Sequence, residues 1–176
     1  MTTATPGRRT ASSPTQPQAS GRNWLAEVSR AAKARPSAAI LYGVPGVGKT
    51  SLAANIPGVV FLCDASEDGI NRLKESGLAP ESVPVLPAAS TWIETLEILD
   101  ALRTGDHGFK ALAVDALGGF ERLCHEEVCR RDFNNDWGQR GFYNYQNGYD
   151  TALSDWRQLI NAFDLLRNEK GMSIML

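Results

Sequence analysis

Apolar residues fall along this chain in short runs separated by longer amphipathic stretches. Five runs read as strands: 38–42, 58–63, 83–86, 111–115 and 172–176. Pro84 cannot donate to a ladder, so the third run is expected near a sheet edge. Between the runs, apolar residues recur at three- and four-residue steps. Ser90 or Thr91 caps a helix reaching Arg103, with Trp92, Leu96, Leu99 and Leu102 as its stripe. A helix over 119–131 turns Phe120, Leu123, Val128 and Cys124 inward. A long helix over 149–168 carries Leu153, Trp156, Leu159, Ile160, Phe163 and Leu166, and Gly171 stops it. Shorter helices are expected at 24–33, capped by Asn23, at 50–55, stopped by Pro57, and at 70–76, closed by Gly77. Strands alternating with helices predict an α/β fold, a parallel sheet with helices on both faces.

The first 21 residues are Thr, Ser, Ala, Pro, Gln and Gly with Arg8 and Arg9, a composition that cannot build a core. A disordered tail over 1–21 and one domain over 22–176 are the expectation. The basic, acid-free tail also suits a mitochondrial presequence, but it has no apolar face of helical period.

Composition narrows the function classes. The 176 residues carry a formal charge of −2, so no global basic excess announces nucleic acid. No run approaches the ~20 apolar residues of a membrane span. Cys63, Cys124 and Cys129 are odd in number and form no C-x-x-C pair, which fits a reducing cytoplasm better than a disulfide framework.

The chemistry concentrates in Gly43-Val44-Pro45-Gly46-Val47-Gly48-Lys49-Thr50, followed by Ser51. This fits the phosphate-binding pattern G-x-x-x-x-G-K-[ST], with a strand before it and a helix after it. The glycines allow backbone N–H groups to converge on an anion, and the helix start adds partial positive charge. Lys49 is expected to act on the β and γ phosphates, and the Thr50 hydroxyl to ligate Mg²⁺. Asp115, at the end of an apolar strand, is expected to support that metal. Ala116 follows it, so no carboxylate for the attacking water stands there. Glu67, just past the second strand, is the expected catalytic carboxylate, with Asp64 and Asp68 as alternatives in the same turn.

Two further clusters have plainer readings. Cys124, His125 and Cys129 lack a fourth ligand and read as packing thiols beside a surface histidine. Trp137, Phe142, Tyr143, Tyr145 and Tyr149, with Arg130, Arg131 and Arg140, suit single-stranded nucleic acid. They equally suit a lobe packing its aromatics on the sheet.

The P-loop run from Leu41 to Ala54, Pro57 to Leu62 with Glu67-Asp68-Gly69, and Thr91-Trp92 resemble phage-encoded RecA-like nucleotide-binding ATPases. So do Ala113-Val114-Asp115 with Phe120 to Leu123, and Asn147-Gly148-Tyr149 with Trp156, Leu159 and 172–176. The resemblance implies a RecA-type core and ATP with Mg²⁺. It also implies a role in phage or prophage DNA recombination or annealing, in a bacterial host's cytoplasm, beside a single-strand binding protein. An acidic residue after the second strand serves the water in such proteins, which matches Glu67. A ring or filament of copies is a further implication. In that family the fifth strand runs into a polar sensor near the γ-phosphate and lies between the strands carrying the P-loop and Asp115. Leu176 falls inside that strand, so a chain truncated at its C-terminus is expected, with hydrolysis more in doubt than binding. Two rivals stand beside this reading. One is a small-molecule kinase, which needs an Arg-rich lid. The other is a nucleotide-gated binding module that does not turn over.

Overall fold

The computed structural model describes residues 35–176; the expected tail and the helix at 24–33 lie outside them. Four parallel strands form one sheet: β1 (Ala38–Ala39), β2 (Val59–Cys63), β3 (Ala111–Asp115) and β4 (Ser173–Met175), in the order β1-β4-β3-β2. The last strand therefore lies between the P-loop strand and the Asp115 strand, as the resemblance implies.

Strand alternation sorts the core into two layers. Val60, Leu62, Leu112, Val114 and Ile174 face one side. There they meet α3 (Trp92–Thr104), α4 (Leu117–Asp132) and α5 (Asn147–Leu165). Val59, Phe61, Cys63, Ala111 and Ala113 face the other, against α1 (Lys49–Ala54) and α2 (Gly69–Glu75). Both faces of β2 and β3 are covered, which is why these strands read as unbroken apolar runs.

Three expectations need correction. The first strand shrinks to two residues at the edge, and Ile40 and Tyr42 are exposed instead of buried. Its pairing nevertheless runs on, since the Leu41 N–H donates to the Leu176 carbonyl at 2.7 Å. The run at 83–86 is no strand. Its neighbourhood keeps two isolated parallel bridges, Val85 with Phe61 of β2 and Ala89 with Asp64 just past β2, because Pro84 and Pro87 interrupt the donors. The long helix starts two residues early and turns differently about its axis. Ala152, Asp155, Leu159, Phe163 and Leu166 face inward, while Leu153 and Ile160 are exposed. Arg131 donates to both Asp155 oxygens at 2.9 Å, and that pairing brings a carboxylate into the inward face.

The helix ends follow their sequence signals. Thr91 Oγ1 accepts from the Glu94 N–H, an N-cap starting α3, and the Glu94 carboxylate reaches back past the cap to accept from the Ser90 N–H. Gly171, at φ +68°, closes the wide final turn Leu166–Lys170 after α5 and returns the chain to the sheet.

Candidate nucleotide site

The site sits at the carboxyl ends of the strands. Gly46 (φ +80°) and Gly48 (φ +97°) take left-handed conformations in the loop between β1 and α1, which requires glycine there. The loop is exposed from Val44 to Gly48, which leaves it accessible to an anion, although the Val47 N–H donates to the Val44 carbonyl at 3.4 Å. Lys49 Nζ donates to the carbonyls of Gly43 (2.8 Å) and Val44 (3.1 Å), which keeps its charge beside the loop. Thr50 and Ser51 follow in the first turn of α1.

Thr50 Oγ1 donates to Asp115 Oδ2 at 2.8 Å, although the two are 65 residues apart. Thr50 is placed by the loop and α1, and Asp115 by the end of β3, whose peptide to Ala116 is cis. A hydroxyl and a carboxylate meeting at one point are the hard oxygen ligands that suit Mg²⁺. A cavity of about 230 Å³ adjoins them, lined by Lys49, Thr50, Asp115 and apolar residues that include Ile40 and Leu41 just past β1, Val114 of β3 and Met175 of β4.

The turn after β2 closes the site from the other side. Cys63 stands in register with Asp115, and Asp64 follows it into the turn. Burial pushes the Cys63 thiol up to about 12, reinforced by the carboxylates of Asp115, Glu67, Asp64 and Asp68 gathered near it. Cys63 therefore stays a neutral packing thiol beneath the site.

The three carboxylates of this turn have different surroundings. Asp64 is buried, and its Oδ1 accepts from both the N–H and the hydroxyl of Ser66. Its Oδ2 is packed against Gly119 with no hydrogen-bond partner among the described residues. Asp68 accepts from Asn71 and pairs with Arg72. Glu67 is exposed, and its side chain has no partner among the described residues. Two glycines that sequence reading passed over shape this corner. A Cβ on Gly69 would stand 3.6 Å from Asp115 Oδ2 and 3.9 Å from Thr50 Oγ1, so the turn passes directly beside the Thr50–Asp115 pair. Gly119 leaves the space that Asp64 fills.

A family model described as an AAA domain matches residues 35–174. The chain belongs to the AAA domain family. No curated protein and no solved structure matches it. Membership makes it an AAA-type P-loop domain, a nucleotide-binding α/β fold. No helix of the AAA domain, among the described residues, is long and apolar enough to cross a membrane.

The remaining candidates fall elsewhere in the AAA domain. Cys124 and Cys129 are buried packing thiols. His125 is half-buried rather than on the surface, because it packs on Phe142 and edge-on to Tyr149. Arg130 is tied to Glu127, and Arg131 to Asp132 and Asp155. Of the three arginines considered for nucleic acid, Arg140 alone has no ion-pair partner among the described residues.

Proposed function

We propose that this AAA domain is a Mg²⁺-dependent ATPase of the RecA-like type, working on DNA in phage or prophage recombination or annealing. The Thr50–Asp115 contact carries the reading, because it joins the P-loop to a metal-supporting carboxylate. The loop from Gly43 to Ser51 holds the phosphates through its N–H groups. Lys49 exchanges its two carbonyl partners for the β and γ phosphates. Thr50 and Asp115 would hold Mg²⁺, which would supply positive charge against the phosphoryl oxygens. Glu67 orients the attacking water and accepts its proton as the water oxygen bonds to the γ-phosphorus and the bond to the β-phosphate oxygen breaks. The exclusion of its neighbours supports this role, since Asp64 and Asp68 are engaged within the turn. The DNA role, the single-strand binding partner, the bacterial cytoplasm and assembly of several copies rest on the resemblance of the P-loop run, the Glu67 turn and the Asp115 strand to phage-encoded ATPases.

A second reading, a nucleotide-gated module without turnover, is favoured by one observation. Glu67 is exposed with no described residue orienting it. ATP turnover with and without single-stranded DNA, in the parent and in Glu67→Gln, tests both. The ATPase reading expects DNA-stimulated turnover that Glu67→Gln removes while nucleotide binding persists. Nucleotide binding without turnover in either protein supports the switch. Turnover unchanged in Glu67→Gln removes that residue from the mechanism.

A further inference from the structure

A second cleft, of about 610 Å³, opens on the outward face of α4. Glu121, Arg122 and His125 line one wall, and Trp137, Tyr143 and Tyr149 line the other. These aromatics do not simply pack on the sheet. They ring Phe142, which is fully buried and lies 4.8 Å from Trp137, 5.7 Å from Tyr143 and 5.1 Å from Tyr149, centroid to centroid. Trp137, Tyr143 and Tyr149 each remain between 37% and 49% exposed, so ring surface stays available around a fixed floor.

The cage is rigidly built. A Cβ on Gly148 would fall 2.3 Å from the Phe142 ring, and one on Gly141 would fall 1.9 Å from the Asp136 carbonyl. Asn134, Asn135, Tyr145 and Gln146 all hold positive φ here, and no other non-glycine among the described residues does. Strained backbone of this kind persists where the surroundings enforce one shape.

Its charge chooses the ligand. Glu126 also lines the cleft, so two carboxylates stand against the one guanidinium of Arg122. Arg122 is bonded to Glu126 at 2.7 Å, which leaves Glu121 without an ion-pair partner among the described residues. Arg130 and Arg131 are engaged with carboxylates of their own. Arg140, unpaired among the described residues, is not among the residues lining the cleft, so a phosphate backbone there would meet a net negative wall. A cation would meet aromatic faces and a free carboxylate, the two features that hold ammonium and guanidinium groups.

We propose that this cleft is a docking site for a partner protein's basic segment, seating an arginine or lysine side chain against Trp137, Tyr143 and Tyr149 with Glu121 as its counter-charge. The proposal does not depend on the hydrolytic role of Glu67.

The test follows the Trp137 indole signal by NMR, assigned through its loss in Trp137→Phe. The full chain is titrated with a Gly-Arg-Gly-Lys-Gly peptide, with its citrulline and acetyl-lysine counterpart, and with a thymidine oligonucleotide. The basic peptide should shift the signal saturably, and its neutral counterpart should not. Glu121→Gln, an exposed change that spares the lobe, should weaken the peptide roughly three- to thirty-fold. Glu75→Gln, remote from the cleft, should leave it unchanged. Three results would each overturn the proposal: binding of the oligonucleotide at this signal instead of the peptide, no saturable shift by the peptide, or equal weakening by Glu75→Gln.

Discussion

The carboxylate of Asp64 lies against the Cα of Gly119, so closely that a Cβ there would fall 1.3 Å from Oδ2. The turn after β2 and the first turn of α4 thus share one packed contact beside the nucleotide site. Gly119→Ala forces one of them to move and should destabilise the fold by about 1–3 kcal/mol. Gly118→Ala meets nothing within 4 Å and should be neutral or stabilising, since alanine is the better helix former. Urea midpoints of the two single variants check the contrast.

Thr50 and Asp115 meet through one hydrogen bond, so each can be removed without emptying the core. Asp115→Asn keeps the shape and a hydrogen-bond acceptor but loses the charge. Nucleotide affinity measured in Mg²⁺ and in EDTA should differ by about ten-fold or more in the parent and converge in the variant. A variant that retains the full Mg²⁺ effect would remove Asp115 from the metal site.

Lys49 bonds only carbonyls of its own loop, so Lys49→Ala should leave thermal unfolding within about 0.5 kcal/mol of the parent. Nucleotide binding should nevertheless fall below detection. Calorimetry of unfolding and a fluorescent-nucleotide titration on the same sample separate the two effects.

Asp155 gives the fold an acid limit. The guanidinium of Arg131 bonds it, which holds its carboxyl below the usual range against the opposing effect of burial. A depressed native pKa contributes stability that is complete above the unfolded value of about 4 and is lost as pH falls through the native value. The urea midpoint should therefore carry this contribution unchanged from pH 7 to about 5 and lose it below 4. Arg131→Met should cost about 2 kcal/mol at pH 7 and flatten the acid limb, so that the two proteins converge at low pH. An equally steep limb in the variant would assign the acid sensitivity to other groups.

Much of this arrangement is legible in the chain. β2 and β3 are covered on both faces, so their runs are apolar throughout and unmistakable. The P-loop and Asp115 are legible because phosphate and metal chemistry demands particular residue types at particular spacings. What stays hidden depends on partners distant in sequence. The rotation of α5 follows from Arg131, 24 residues before Asp155. Gly69 and Gly119 act by the absence of a side chain, and only the fold shows what would collide there. His125 looks like a surface residue until the lobe at 133–149 folds over it.

β4 is wedged between β1 and β3, so a strand that follows both in sequence separates the two that lead to Lys49 and Asp115. On the ribosome, β1 emerges well before β4, its neighbour in the described sheet, and stays unpaired until β4 arrives. Pairing over so long a loop is slow, and it leaves strand edges open in the meantime. Until β4 arrives, the nascent chain holds Thr50 and Asp115 out of register, at risk of pairing β1 directly with β3. The meeting of Thr50 with Asp115 therefore reports that β4 has been inserted between their strands, which makes this contact a checkpoint on the sheet itself.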